Sequence, residues 1–185
     1  MQQAGTLERI RPYPIIQVCP TLFLPEIVTL RKQVWDHEGL VRSLGEWRDP
    51  LDELAIHFVV KDDDQVIGAA RLIILNKAQM RTIPRFAKYM DLPFLQHLSF
   101  PFAFFSRLVV APAYRGQGIA RQLQNRRLEF LREHFVPTAI LTSQHPSILE
   151  LAKRNDWMYG CSVESDQFLQ DSGLQSHLFY QDLKH

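Results

Sequence analysis

Arg115, Gly116, Gly118 and Ala120 stand in the run Val109-Val110-Ala111-Pro112-Ala113-Tyr114-Arg115-Gly116-Gln117-Gly118-Ile119-Ala120, and the chemistry they suggest is anion binding. A short apolar strand, Leu108-Val109-Val110, leads into two glycines and then a long helical stretch. Glycines there let the backbone approach a ligand and turn several N–H groups one way. The first amides of a helix have no internal partner and carry the positive end of its dipole. Such a turn suits a phosphate or pyrophosphate. Spacing narrows the choice. A G-x-x-x-x-G-K-[ST] loop needs a Lys that does not follow Gly118. The dinucleotide fingerprint needs Gly or Ala three residues beyond its second Gly, where Arg121 stands. What remains is R-x-x-G-x-A, formed by Arg115, Gly118 and Ala120.

Other residues could act as acids, bases or ligands. His145 lies just past the apolar run Thr138 to Ser143, and histidine is the residue type most suited to a general base. His57 and Glu53 are weaker candidates, at or near a strand entry. Arg71 sits inside an apolar strand, sharing a face with Ala69 and Ile73, and can look into a cleft. Arg31 falls on the apolar face of a helix and must be paired or reach outward. Asp49 and Asp52 flank Pro50-Leu51 as caps of a short helix. Asp62-Asp63-Asp64 reads as a hairpin turn, since consecutive acids with no other ligand nearby make a poor metal site. Cys161 reads as a packing residue.

The whole chain sets bounds on partners. Its 185 residues suit one domain with an ample core. Charges nearly balance, which gives no basic surface for nucleic acid. No apolar run approaches the roughly 20 residues that span a bilayer. The start, MQQAGTLERIRPYP, lacks the apolar core of a signal peptide. Cys19 and Cys161 make neither a metal spacing nor a disulfide framework, so an intracellular, cytoplasmic setting is expected.

These residues must be held by a mixed sheet. Strands are expected at Ile15 to Val18, Ala55 to Lys61, Gln65 to Leu75, the run through Phe100, Phe102 and Phe104 to Val110, Thr138 to Ser143, Trp157 to Val163, and His177 to Leu183. Helices are expected at Pro25 to His37, Gly116 to about His134, and Pro146 to Asn155. The second of these has Ala120, Leu123, Leu128, Leu131 and Phe135 inward, with Arg127 interrupting the face and snorkelling. Asn76 to Phe100 shows no element and is either a lid or a surface excursion. The fold class is thus α/β with a central mixed, mostly antiparallel sheet and helices on both faces.

The loop, with its preceding Val-Val strand, Pro112 and Tyr114, resembles the acyl-CoA loop of the GNAT superfamily of acyltransferases. The likeness covers Ile56 to about Gly160. It implies that Leu108, Val109 and Val110 hold the pantetheine arm in a wedge between splayed strands. It implies that Arg115, Gly116, Gln117, Gly118, Ile119 and Ala120 hold the pyrophosphate of acetyl-CoA or another acyl-CoA, with no metal. The acceptor would be a small-molecule amine, and a homodimer is left open. The family's leaving-group Tyr falls on Ala152, and Tyr159 lies on a different element. A second likeness is to the acyl-homoserine-lactone synthases, through Arg31, Val34-Trp35, Trp47, Asp49, Asp52, Arg71 and Ser106-Arg107. It implies a charged substrate cleft and a longer acyl chain. The catalytic candidates are therefore His145, Arg71 and Arg107. A non-catalytic acyl-CoA-binding module is the reading from another class.

Overall fold

The computed structural model describes residues 14–18, 20–39, 48–143, 145–163 and 176–183, the side chains of 16–18, 20 and 21 excepted. The lead-in up to residue 13, Cys19, Trp47 and most of the loop after Gly39 lie outside these.

Seven strands form one sheet: β1 Ile15–Val18, β2 Ile56–Asp62, β3 Gln65–Leu75, β4 Phe102–Val110, β5 Thr138–Ser143, β6 Met158–Val163 and β7 Ser176–Asp182. Their order is β1-β2-β3-β4-β5-β7-β6. Every neighbouring pair is antiparallel except β4 with β5. The mixed, mostly antiparallel sheet expected from the sequence is the one found. The acidic turn joins β2 to β3, with Asp63 at φ 49°.

Among the described residues, five α-helices cover the sheet: α1 Pro20–Glu38, α2 Lys77–Thr82, α3 Pro84–Ala87, α4 Ile119–Glu133 and α5 Pro146–Arg154. α1 opens five residues earlier than Pro25 suggested; Pro20 takes the first position and Pro25 lies inside the helix. Asn76 to Phe100 is not structureless. It forms α2, α3 and a 3-10 turn, Pro93–His97, and buries Met80, Phe86, Tyr89 and Leu95. Its short helices carry caps and Pro at first positions rather than a long apolar stripe, so periodicity missed them. Phe135 is 91% exposed, not inward. It takes φ 55° just past α4, while Val136 N–H bonds back to the Leu131 carbonyl and Val136 is buried instead. That is a left-handed helix stop, which turns the chain off the helical face.

Alternation along the strands sorts the core into two faces. Phe58, Val60, Ile67, Ala70, Leu72, Ala103 and Phe105 pack under α4 and α5. On the opposite face, Val59, Val66, Ala69 and Val109 pack on α1. Beside them, Ile73, Leu75, Phe102 and Phe104 pack on the α2–α3 segment. Arg71 lies between Ala69 and Ile73, at the seam of the two apolar clusters on this second face.

Candidate active site

β4 and β5 pair only from Phe102 with Thr138 to Phe105 with Leu141. Beyond that, β4 continues along β3 to Val110, and β5 continues along β7 to Ser143. A wedge opens between them. The cause is a bulge in β4. Arg71 pairs with Ser106 and Ala69 with Val109, so Arg107 and Leu108 together face Ala70. Arg107 stands at φ 53°, and an extra residue of this kind bends a strand. It also resets the alternation, so Ser106 and Arg107, though consecutive, both reach the Arg71 face.

Val110 presents its backbone to the wedge. Ala111 N–H donates to the Ile67 carbonyl at 2.8 Å, so that pair is hydrogen-bonded. Pairs alternate in an antiparallel ladder, and Val110 therefore turns its N–H and C=O away from β3. Past it, Gly116 and Gly118 both take φ 80°. α4 begins at Ile119, three residues later than expected, because left-handed glycines cannot continue a right-handed helix. Gly118 caps α4 with no side-chain acceptor, leaving its first amides facing the loop. Gly68 lets this end of α4 sit close to the sheet; a Cβ there would meet Ile119 Cγ2 at 2.8 Å. Tyr114 fixes the loop from outside, donating its hydroxyl to Asp62 Oδ2 at 2.7 Å.

The second-face seam holds a network of charge. Asp49 and Asp52 cap the 3-10 turn Pro50–Leu54, as their spacing suggested, and they do more. Asp52 accepts from Arg31 Nη1 at 2.7 Å and from Arg71 Nη1 at 3.0 Å. Asp49 accepts from Arg107 Nη2 at 2.7 Å and from Arg85 Nη1 at 2.9 Å. Arg71 Nε donates to Ser106 Oγ at 3.0 Å, and the Arg107 guanidinium lies 5.2 Å over the Trp35 ring. Burial alone would raise both carboxylates. The arginines outweigh it: Arg71 and Arg107 hold Asp49 well below the usual carboxylate range, and Arg31 with Arg71 holds Asp52 below it. Burial pushes Arg107 down to about 10 and draws Arg71 down too. His57, fully buried against the Asp52 carbonyl at 3.1 Å, is pushed down by burial. Glu53 is exposed on Arg48.

Arg31, Asp52 and Arg71 are at most 1% exposed, whereas the Arg107 side chain is 11% exposed. The inner three act through their partners, and Arg107 carries the network to the bulge. On the other face Arg127 is fully buried rather than snorkelling. It donates to the Arg71 carbonyl at 3.0 Å, bonds Gln124 and lies 4.3 Å over the Phe105 ring. Burial, with no carboxylate partner among the described residues, pushes it down to about 9. It grips the backbone where β3 meets the bulge.

A model of the acetyltransferase (GNAT) family matches residues 23–153. The chain belongs to that family. No curated protein sequence matches it. Among solved structures it resembles FeeM, an N-acyl amino acid synthase from uncultured soil microbes. The TM-score is 0.71 at 8% identity, covering 93% of this chain and 90% of that one. It also resembles an agmatine N-acetyltransferase in its apo form, with TM-score 0.67 at 11% identity, covering 91% and 99%. A third likeness is to the Escherichia coli ribosomal-protein-S18-alanine N-acetyltransferase, with TM-score 0.63 at 11% identity, covering 94% and 96%. At such identities these structures speak for the shared fold. As a GNAT protein the chain is an acyltransferase, and the family implies an acyl-CoA co-substrate.

Within this GNAT frame, His145 caps α5 at the far side of the wedge from Val110, its Nδ1 2.8 Å from Ser147 Oγ. Ala152 is fully buried, so no acid stands at that position. Tyr159 is on exposed β6, 3.0 Å from Ser162 Oγ. Burial pushes the Cys161 thiol up. Among the described residues, no group of three or more His, Cys, Asp or Glu could hold a metal, and no helix is long and apolar enough to cross a membrane. Phe100 and Phe102 line a cavity of about 240 Å³ with Leu95, Met90, Lys77, Arg81 and Gln96, at the opposite end of β4 from the bulge. Sequence reasoning missed Arg85, whose segment had no recognisable element, and Glu38, which ends α1 facing the loop.

Proposed function

We propose that the chain acts as one cytoplasmic domain moving an acetyl group from acetyl-CoA to a small-molecule amine by direct attack. The observation that carries this is the unpaired half of β4, with Val110 turned into the wedge beside a two-glycine loop. Leu108, Val109 and Val110 would offer backbone groups to the pantetheine arm. Arg115, Gly116, Gln117, Gly118, Ile119 and Ala120 would offer amides and one guanidinium to the pyrophosphate.

The residues have three tasks. A free alkylammonium has a pKa near 10, so the attacking nitrogen must lose a proton. His145 is placed to take it. The Val110 N–H would donate to the oxygen of the thioester as charge develops there, a kind of contact often worth about 3 kcal/mol. A thiolate has an ordinary pKa of about 8.5 and can leave without an acid at Ala152. Arg71 positions Arg107 through Asp49, and Arg107 borders the place where the acceptor would approach the bulge.

A second reading is transfer of a longer acyl chain, as the likeness to acyl-homoserine-lactone synthases implies. The convergence of Arg31, Asp49, Asp52, Arg71, Ser106 and Arg107 in one network favours it. One experiment addresses both readings. Thiol release is followed from acetyl-CoA and from a medium-chain acyl-CoA, over a panel of amino acids, polyamines and peptide N-termini, with products weighed by mass spectrometry. Faster release with acetyl-CoA supports the first reading, and faster release with the longer chain supports the second. Release with neither, on any amine, contradicts both.

A further inference from the structure

Glu38 ends α1, where the helix dipole is negative and a carboxylate is unfavourable. Its side chain is nevertheless only 17% exposed, ion-paired with Arg115 and close to the His145 imidazole, both from other elements. One oxygen takes Arg115 Nη2, and the other lies 3.8 Å from His145 Nε2. Arg115 in turn donates Nε to the Val110 carbonyl at 3.3 Å. Arg115 and Glu38 thus fill the end of the wedge. The guanidinium occupies the carbonyl that β4 offers there, and the carboxylate occupies the guanidinium.

Resting on the reading of Arg115 as a pyrophosphate ligand, we propose that Glu38 is a further residue of this site. It holds Arg115 until a diphosphate displaces it, and it then serves as the positioning residue of His145. The Nη2 donor that Glu38 holds is one that a phosphate oxygen would also take, so the two compete for it. Once Arg115 turns to phosphate, the His145 imidazole is the side chain of another element left beside Glu38 among the described residues. Binding of the co-substrate therefore delivers a carboxylate to the imidazole that takes the proton.

Isothermal titration with CoA and with pantetheine, which lacks the phosphates, tests this on wild type, Glu38→Gln, Arg115→Gln and the double variant. Glu38→Gln should bind CoA about two- to fivefold more tightly, the size of a partly exposed ion pair, and pantetheine as before. In the Arg115→Gln background the gain should vanish, because the competitor has nothing left to hold. Glu38→Gln should also turn acetyl-CoA over more slowly despite holding CoA more tightly, a split that a loosened fold would not produce. Equal CoA affinity for wild type and Glu38→Gln overturns the proposal. So does a gain that persists without Arg115, which would mark a general charge effect. Unchanged or faster turnover overturns the role toward His145. Failure of wild type and Glu38→Gln alike to bind CoA overturns the pyrophosphate reading itself, and is distinct from equal binding.

Discussion

Gly116 and Gly118 build the loop proposed to bind charge with almost no side chain, through two left-handed residues and a helix start without a side-chain cap. Arg31, Asp52 and Arg71 build the neighbouring network entirely from side chains drawn from α1, the 3-10 turn and β3. The loop lies at the surface, its glycines without side chains and its Arg115 on Glu38 and the Val110 carbonyl. The network is buried and satisfies its carboxylates internally, reaching outward chiefly through Arg107 and Arg85. The first is suited to binding and the second to holding the bulge that splays β4 from β5. Side-chain deletions should therefore be costly in the network, and backbone restrictions should be costly in the loop.

The largest expected effect is on the network. Asp52→Asn leaves Arg31 and Arg71 buried without their shared charge and should cost about 3–5 kcal/mol in urea unfolding. A loss below about 1 kcal/mol would break the contrast. Acid comes next. The folded Asp49 and Asp52 titrate below their ordinary 3.8, so their contribution is complete above that pH and is lost as pH falls through and below it. Stability should hold from pH 7 to about 5, then fall by up to about 1.4 kcal/mol per pH unit for each carboxylate. Asp52→Asn should flatten that slope; an unchanged slope would exclude Asp52 as its source. Arg107→Lys keeps the charge but loses the planar stack on Trp35 and the rigid fork on Asp49. It should raise the acceptor KM roughly tenfold, about 1.4 kcal/mol, with CoA affinity unchanged. A change confined to CoA affinity would assign Arg107 to the other region. The smallest effect belongs to the exposed Arg126–Glu133 pair, where Glu133→Gln should shift stability by less than about 0.5 kcal/mol.

The contrast also governs what the sequence made legible. The loop is local: strand, Pro112, Tyr114, two glycines and helix lie in one run, so its spacing and its resemblance to an acyl-CoA loop can be read directly. Network members were legible singly. Arg71 between Ala69 and Ile73, and Arg31 on an apolar helix face, were each out of place in a core. Their partners lie 19 and 21 residues away, joined only by folding. Arg85 was hidden in a segment of short capped helices. The bulge was invisible because positive φ at an arginine has no local signature. Arg127 was read as an outward-reaching side chain because the acceptor that holds it inside is a backbone carbonyl of β3.

We propose Arg115 to Ala120 as the binding site for the pyrophosphate of CoA. Its most direct measurement is the melting temperature with and without CoA and acetyl-CoA, for wild type and Gly118→Asp. At 100 times its dissociation constant a ligand adds about 2.7 kcal/mol, which should raise the wild-type melt by about 5–10 °C. Gly118→Asp forces a side chain onto φ 80° and sets a carboxylate against the phosphates, so it should fold, melt slightly lower and show no shift. A wild-type melt unmoved by saturating CoA and acetyl-CoA, or an equal shift in Gly118→Asp, would contradict the claim.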